Sequence, residues 1–175
     1  MKAHALALGG LTAALLLAGS VAASAHSVPL KASASSFLKV NAAKKTVTFT
    51  VLAGDGSDNG GLDFDNTSDG QMTLTVPVNW TVDVVFKNEG GLPHSVLFEA
   101  WSESLSSTNP TPAFKGAESP EPVDGTAPGS GADFHFKANK AGKYRMICAF
   151  PGHAESGMWD VFVVSKTAKT ATLKV

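Results

Sequence analysis

Four side chains in this sequence of 175 residues could together bind a soft metal ion. Cys148 is the only cysteine, His153 and Met158 follow it at intervals of five residues, and His94 lies well upstream. A thiolate, two imidazoles and a thioether form the ligand set of blue copper electron-transfer sites, because soft sulfur suits Cu(I) and imidazole serves both oxidation states. The residue types therefore predict a copper site. The alternatives are a buried free thiol at Cys148 and a core-filling side chain at Met158.

The predicted strands explain how distant residues could meet. Cys148 ends one predicted strand and Met158 begins the next, so the intervening loop can fold His153 back beside them. Pro151 and Gly152 supply turn chemistry just before this histidine. The remaining ligand must come from another strand end at the same pole, where His94 is expected.

Strict alternation of apolar and polar residues indicates half-buried strands in several segments. The predicted strands are Phe37–Asn41, Thr46–Val51, Leu62–Asp65, Met72–Val76, Trp80–Phe86, Ser95–Ala100, Asp133–Lys137, Lys143–Cys148, Met158–Val164 and Thr170–Val175. No window of a dozen residues carries a helical apolar stripe. Seven or more short strands separated by turns predict an all-β fold, a β-sandwich with Greek-key connections.

The segment 102–131 interrupts this pattern. It holds five of the nine prolines, many Ser, Thr and Gly residues, and four acids against one lysine. Such a composition excludes a central strand and favours a mobile loop. Phe114 is its only aromatic residue, and we expect it to be the first candidate for docking on a partner.

The first 25 residues resemble a secretory signal peptide. Lys2 precedes an apolar run that is too short to span a bilayer, and Ala23-Ser24-Ala25 forms a small-x-small cleavage pattern. We therefore expect a single exported domain over residues 26–175, periplasmic or extracellular, with no evident membrane attachment. Removing Lys2 with the leader changes the net charge from −1 to −2, which gives no reason to expect a nucleic-acid partner. A lone cysteine in an exported chain cannot form an internal disulfide, which leaves a free thiol, an intermolecular bridge or a metal ligand.

Several motifs resemble the cupredoxins, and more closely their sulfocyanin-like branch. The motifs are Leu92-Pro93-His94-Ser95-Val96, Cys148-x-x-Pro151-Gly152-His153, Ser156-Gly157-Met158-Trp159, and Leu62 to Asn66 leading to Met72 to Trp80. This resemblance implies one type 1 copper ion with His94, Cys148 and His153 as equatorial ligands and Met158 as the axial ligand. It also implies a carrier that passes single electrons between redox partner proteins of a respiratory chain, such as a terminal oxidase or a cytochrome.

Three functions fit these ligands. The first is an electron carrier, which is not an enzyme and takes no small-molecule substrate, because four protein ligands leave no open position on the metal. The second is a copper carrier or chaperone that delivers the metal to an oxidase. The third is a catalytic relative in which Met158 does not bind the metal.

Residues around the ligands support more detailed expectations. Ser95 is placed to join the His94 segment to the Cys148 segment by hydrogen bonding, and its N–H is expected to point at the thiolate. We expect a backbone carbonyl to bind the second ring nitrogen of His94. An apolar rim of Leu92, Pro93, Ala149, Phe150 and Pro151 predicts electron exchange through the edge of His153.

Other candidate metal-binding residues are less favourable. His135 lies between Phe134 and Phe136, so it is expected to point into solvent. His26 would be the first mature residue and could chelate copper with its amine, but no second histidine for such a site is evident. The Asp55-x-Ser57-x-Asn59-Gly60 segment lacks the glutamate of a calcium loop, so we reject a calcium site there.

Overall fold

The computed structural model describes residue 1 and residues 34–175. The predicted leader and His26 lie outside the described residues. One helical turn, α1 (Ala34–Phe37), precedes the strands. The strands are β1 (Leu38–Asn41), β2 (Thr46–Ala53), β3 (Thr73–Pro77), β4 (Thr81–Asn88), β5 (Leu97–Ala100), β6 (Gly131–Lys137), β7 (Gly142–Ile147), β8 (Trp159–Ser165) and β9 (Thr172–Lys174).

The nine strands form two sheets. Four strands pair in the order β1-β2-β4-β6, and five pair in the order β5-β7-β8-β3-β9. The β2–β4 and β3–β8 pairs are parallel, and the other pairs are antiparallel. This arrangement confirms the predicted all-β sandwich.

The core lies between the sheets and follows from the alternation in the sequence. In β2, Val47, Phe49 and Val51 are buried while the threonines between them are partly exposed. Facing residues of the other sheet include Phe162 and Met146, both buried. Each large apolar side chain buried in this way contributes about 1.5–3 kcal/mol relative to exposure.

Strand directions define two ends of the sandwich. At one end β2 and β4 stop together, with Ala53 paired to Asn88, and β7 stops where β8 starts, with Ile147 paired to Trp159. We call this end the ligand pole, because His94, Cys148 and His153 lie there. At the opposite end Thr46 pairs with Thr81. We call it the lysine pole, because the connections between strands at this end carry Lys44, Lys45, Lys140, Lys166 and Lys169.

Two strand predictions differ from the structure. Leu62–Asp65 was predicted as a strand and is not one, because Asp65 has a positive φ of 52° and Phe64 forms only isolated bridges. A left-handed residue cannot continue an extended strand. The strand predicted over Ser95–Ala100 begins two residues later, at Leu97. The N–H of Ser95 donates to the Cys148 sulfur and the N–H of Val96 donates to Ser119 Oγ, so neither pairs with a neighbouring strand.

The proline-rich segment was expected to be mobile, but it is bound along β5. Isolated bridges join Glu99 to Pro112, Leu97 to Glu118 and His94 to Thr126. Phe114, expected to be a docking residue, is only 5% exposed. Its ring packs in the core against Phe136, Tyr144 and Phe162.

The described helices, α1 and a 3-10 helix at Asp58–Gly61, are short. Within residues 34–175, no helix has the length and apolar character that crossing a bilayer requires.

Candidate metal centre

Three of the predicted ligands come together at the ligand pole. The ring Nδ1 atoms of His94 and His153 lie 3.9 and 3.4 Å from the Cys148 sulfur. One donor atom from each residue lies within 4.8 Å of the other two. Among the described residues this is the one group of three or more His, Cys, Asp or Glu side chains with such spacing.

The loop that joins β7 to β8 carries Cys148, His153 and Met158, and its own hydrogen bonds hold it closed. The N–H of Met158 donates to the His153 carbonyl at 3.0 Å, and the N–H of Cys148 donates to the Met158 carbonyl at 3.1 Å. Gly152 and Gly157 have φ angles of 82° and 98°, which side-chain-bearing residues rarely adopt. The loop therefore returns to its starting point within eleven residues, because two glycines provide the reversals.

Ser95 joins the two ligand-bearing segments as expected. Its N–H donates to the Cys148 sulfur at 3.4 Å, and its Oγ accepts a hydrogen bond from the Ala149 N–H at 2.9 Å. Both expected contacts of Ser95 are confirmed. The contact to sulfur stabilises negative charge on the thiolate.

Burial sets the protonation of the three donors. It lowers the pKa of His94 to about 4, with a further contribution from the nearby His153, and it also lowers the pKa of His153. Both imidazoles are therefore neutral near pH 7, which is the form that binds metals. Burial raises the pKa of the Cys148 thiol, and the Ser95 N–H acts in the opposite direction. A bound cation would favour the thiolate in this low-dielectric site.

The donor set fits a copper ion. One sulfur and two imidazole nitrogens converge in a site where all three residues are buried, and the sulfur has no disulfide partner. Soft sulfur with imidazole favours copper over the hard cations that carboxylates bind. The burial of these polar groups near one another is costly unless they share a common partner.

Met158 lies at the same pole and is completely buried. Its backbone contacts both Cys148 and His153, as described above. Its role as the axial ligand stays a prediction.

The expected carbonyl partner for the second ring nitrogen of His94 stays a prediction. The ring lies against Gly90, where an added Cβ would be 3.0 Å from Nε2. The absence of a side chain at Gly90 thus leaves room for the imidazole. The Gly90-Gly91 pair was the sequence signal, but it indicated only a turn.

The segment 54–70 braces the ligand loop from another side, which sequence reasoning missed. Asn59 Nδ2 donates to the Ser156 carbonyl at 2.6 Å, and the Asp69 N–H donates to the Gly157 carbonyl at 2.9 Å. These contacts join residues nearly one hundred positions apart, and local sequence patterns carry no sign of them.

The five residues of the predicted apolar rim differ in their exposure to solvent. Leu92 and Pro151 are exposed, Pro93 and Phe150 are partly buried, and Ala149 is buried. The Phe150 ring lies 4.7 Å from the His153 ring between centroids. His153 is 8% exposed and His94 is 1% exposed, so His153 is the more accessible imidazole.

Two of the less favoured candidates fall in the described residues. His135 is exposed on β6, between the less exposed Phe134 and Phe136, as expected. In the rejected calcium segment, an Asp55 oxygen and an Asp63 oxygen both face the backbone N–H of Asn66.

Comparisons with known proteins agree with a copper site at the ligand pole. The family model for the sulfocyanin (SoxE) domain matches residues 33–173. A sulfocyanin of Sulfolobus acidocaldarius is 30% identical over 143 residues, which cover 71% of this chain and 66% of that relative. The match thus spans just under two thirds of the relative's length.

The chain is also similar to solved structures of copper proteins. Auracyanin A from Chloroflexus aurantiacus is 26% identical, with a TM-score of 0.49, over 69% of this chain and 99% of that chain. Rusticyanin from Thiobacillus ferrooxidans is 25% identical, with a TM-score of 0.46, over 74% of this chain and 86% of that chain. Because the sulfocyanin model matches most of the described chain, the protein belongs to the sulfocyanin (SoxE) domain family.

Proposed function

We propose that this protein binds one type 1 copper ion and carries single electrons. The observation that supports the proposal most directly is the convergence of His94, Cys148 and His153 at one buried point. Bound copper would supply a centre that accepts and releases one electron without a proton or a bond to substrate. The proposed ligands are these three residues together with Met158.

The protein's own contribution is to hold the donors in place. Ser95 fixes the sulfur through its N–H and fixes the Ala149 backbone through its hydroxyl. Short hydrogen-bonded turns hold His153 and Met158. A site whose ligands move little between oxidation states favours fast electron transfer.

Exchange of electrons is proposed to occur over the apolar rim. The His153 ring lies against the Phe150 ring, and Leu92 is 53% exposed in the segment that leads to His94. An exposed apolar patch of this kind is typical of a docking surface. We propose redox proteins of a respiratory chain as partners, in the periplasm or outside the cell. With four protein donors the metal would keep no open position for a substrate, which favours a carrier over an enzyme.

The test is copper loading of the protein expressed without residues 1–25. We expect one copper per chain, an intense visible band from thiolate-to-copper charge transfer, and a small copper hyperfine splitting in the paramagnetic spectrum. A pale Cu(II) adduct with an ordinary splitting would overturn the proposal. Copper that passes to a chelator faster than electrons turn over would instead support copper delivery.

A further inference from the structure

Asn88, the last residue of β4, is a buried amide that the ligand set does not use. It is 0% exposed. Its Nδ2 donates to the Leu92 carbonyl at 2.7 Å and to the Thr126 carbonyl at 2.8 Å, and its Oδ1 accepts from the Gly90 N–H at 2.9 Å. Every hydrogen-bonding atom of this amide therefore has a partner.

The partners of Asn88 belong to two segments that meet at His94. Gly90 and Leu92 lie in the turn that leads to this histidine. Thr126 pairs with His94 itself, because the Thr126 N–H donates to the His94 carbonyl at 2.7 Å and the His94 N–H donates to the Thr126 carbonyl at 3.2 Å. The Thr126 carbonyl thus accepts from both His94 and Asn88.

The backbone of Asn88 extends the same connection. Its N–H donates to the Ser130 carbonyl, and its carbonyl accepts from the Gly129 N–H, both at 2.9 Å. One residue therefore joins the end of β4, the turn before His94 and the last part of the proline-rich segment.

Gly125 permits the close approach of that segment. It has a φ of 77°, and an added Cβ would lie 3.0 Å from a Pro93 carbon and 3.3 Å from the His94 nitrogen. A side chain at this position would push residues 125–130 away from the histidine.

These contacts matter because a metal-binding histidine needs a fixed ring orientation. The His94 ring lies against Gly90, and the Gly90 N–H donates to Asn88 Oδ1. The Asn88 amide therefore holds the segment against which the ring packs.

We infer that Asn88 is a positioning residue for the metal centre, and that residues 125–130 are part of the support of His94. The inference rests on the proposed function only for the copper readouts below. A purely structural role, in which Asn88 only pairs backbone groups at the end of β4, would stabilise the fold without changing the geometry of the metal-binding side chains.

The test compares Asn88→Asp with Asn88→Ser. The aspartate keeps the shape and the acceptor but replaces both donors with an oxygen that faces two carbonyls, whereas the serine removes most of the amide. Asn79→Asp is the control for the same chemical change, because Asn79 is exposed at the other end of the sandwich. If Asn88→Asp does not fold, Gly125→Ala tests the same contact from the facing segment.

The first readout uses copper-free protein, so it does not depend on the proposed function. We expect backbone hydrogen exchange at His94 and Thr126 to accelerate by about five- to a hundredfold in the Asn88 variants, because a lost hydrogen bond that leaves a buried group unpaired has an effect of that size. Exchange at Cys148 and within β8 should be unchanged.

The second readout uses copper-loaded protein. We expect a shifted reduction potential and an altered hyperfine splitting in Asn88→Ser and none in Asn79→Asp. Variants that unfold more easily but keep wild-type exchange, potential and hyperfine splitting would overturn the inference. A wild-type protein without a blue copper spectrum would overturn the proposed function alone, since the exchange result stands by itself.

Discussion

The two poles of the sandwich carry opposite charges. At the ligand pole, segments 54–72, 89–96, 121–130 and 148–158 hold nine acidic residues and no lysine or arginine. At the lysine pole, segments 42–45, 78–80, 138–141 and 166–171 hold five lysines and no acid. The acids are Asp55, Asp58, Asp63, Asp65, Asp69, Glu89, Glu121, Asp124 and Glu155, and the lysines are Lys44, Lys45, Lys140, Lys166 and Lys169.

This difference shows what a nearly neutral composition conceals. A net charge of −1 gives no indication of a field, yet opposite charges at two ends of one domain orient approaching ions and proteins. The poles also differ in task, since the ligand pole holds buried polar donors while the other end closes the apolar core.

The largest expected effect is the loss of the copper colour at the ligand pole. Cys148→Ser should abolish the visible charge-transfer band completely, because an oxygen cannot replace the thiolate electronically. The measurement is the visible spectrum after addition of one equivalent of Cu(II). His135→Gln, at an exposed histidine away from the site, is the control and should leave the band unchanged. A blue band that survives in the serine variant would exclude Cys148 as a ligand.

The next effect concerns the apolar core, where a substitution should lower stability without changing the metal site. Phe114→Ala should lower the free energy of unfolding by about 3–5 kcal/mol, because it leaves a cavity among Phe136, Tyr144 and Phe162. Denaturant unfolding measures this loss.

The copper spectrum of the folded Phe114 variant should match that of the wild type. Leu92→Ala provides the complementary case, since Leu92 is exposed and its loss should change stability little. A loss below about 1 kcal/mol at Phe114 would mean that the proline-rich segment is not bound as described.

The ligand loop could be predicted from the sequence, whereas the position of the proline-rich segment could not. The ligand loop was predictable because Cys148, His153 and Met158 lie within one short hairpin connection, and turn residues mark it. Binding of residues 102–131 was not predictable, because most of its anchors are backbone bridges that almost any residue can form, and Phe114 is its only aromatic side chain in the core.

A second failure has a different physical cause. Asp63 and Asp65 alternate with Leu62 and Phe64 and so resemble a half-buried strand. In the structure both carboxylates turn inward, where Asp65 accepts the Leu52 N–H at 2.9 Å and Asp63 accepts the Asn66 N–H at 3.2 Å. Alternation cannot distinguish an outward acid from one that satisfies a distant backbone group.

A smaller effect tests the charge difference between the poles. Oxidation of the reduced protein by a cationic cobalt(III) phenanthroline complex should slow as salt is added, whereas oxidation by hexacyanoferrate(III) should accelerate. Neutralising the exposed acids Glu121, Asp124 and Glu155 together should lower the ratio of the two rates about tenfold at low salt.

Asp83→Asn is the control for the change of charge, because Asp83 lies in the middle of β4, away from either pole. It should alter the ratio much less than the triple variant. Equal salt dependence for the two oxidants would mean that the ligand-pole charges do not act on approaching ions.

The smallest effect concerns Asp63, one of the two buried acids of the ligand pole. Burial, with the nearby charge of Asp55 and a lesser one of Asp58, raises the pKa of Asp63 from 3.8 to about 6. The folded protein therefore holds this proton more tightly than the unfolded chain does. Stability from this group is complete below about pH 4 and is lost as the pH rises to about 6.

The lowered pKa values of His94 and His153 act in the opposite sense, since stability from them is lost as the pH falls below 6.5. The informative quantity is therefore the difference between wild type and Asp63→Asn, measured by denaturant unfolding of copper-free protein from pH 4 to pH 7. Asparagine keeps an acceptor for the Asn66 N–H and cannot ionise. The variant should gain roughly 1 kcal/mol relative to wild type across this range, because the polar surroundings screen part of the buried charge. A difference that does not change with pH would show that Asp63 ionises as readily in the folded protein as in the unfolded chain.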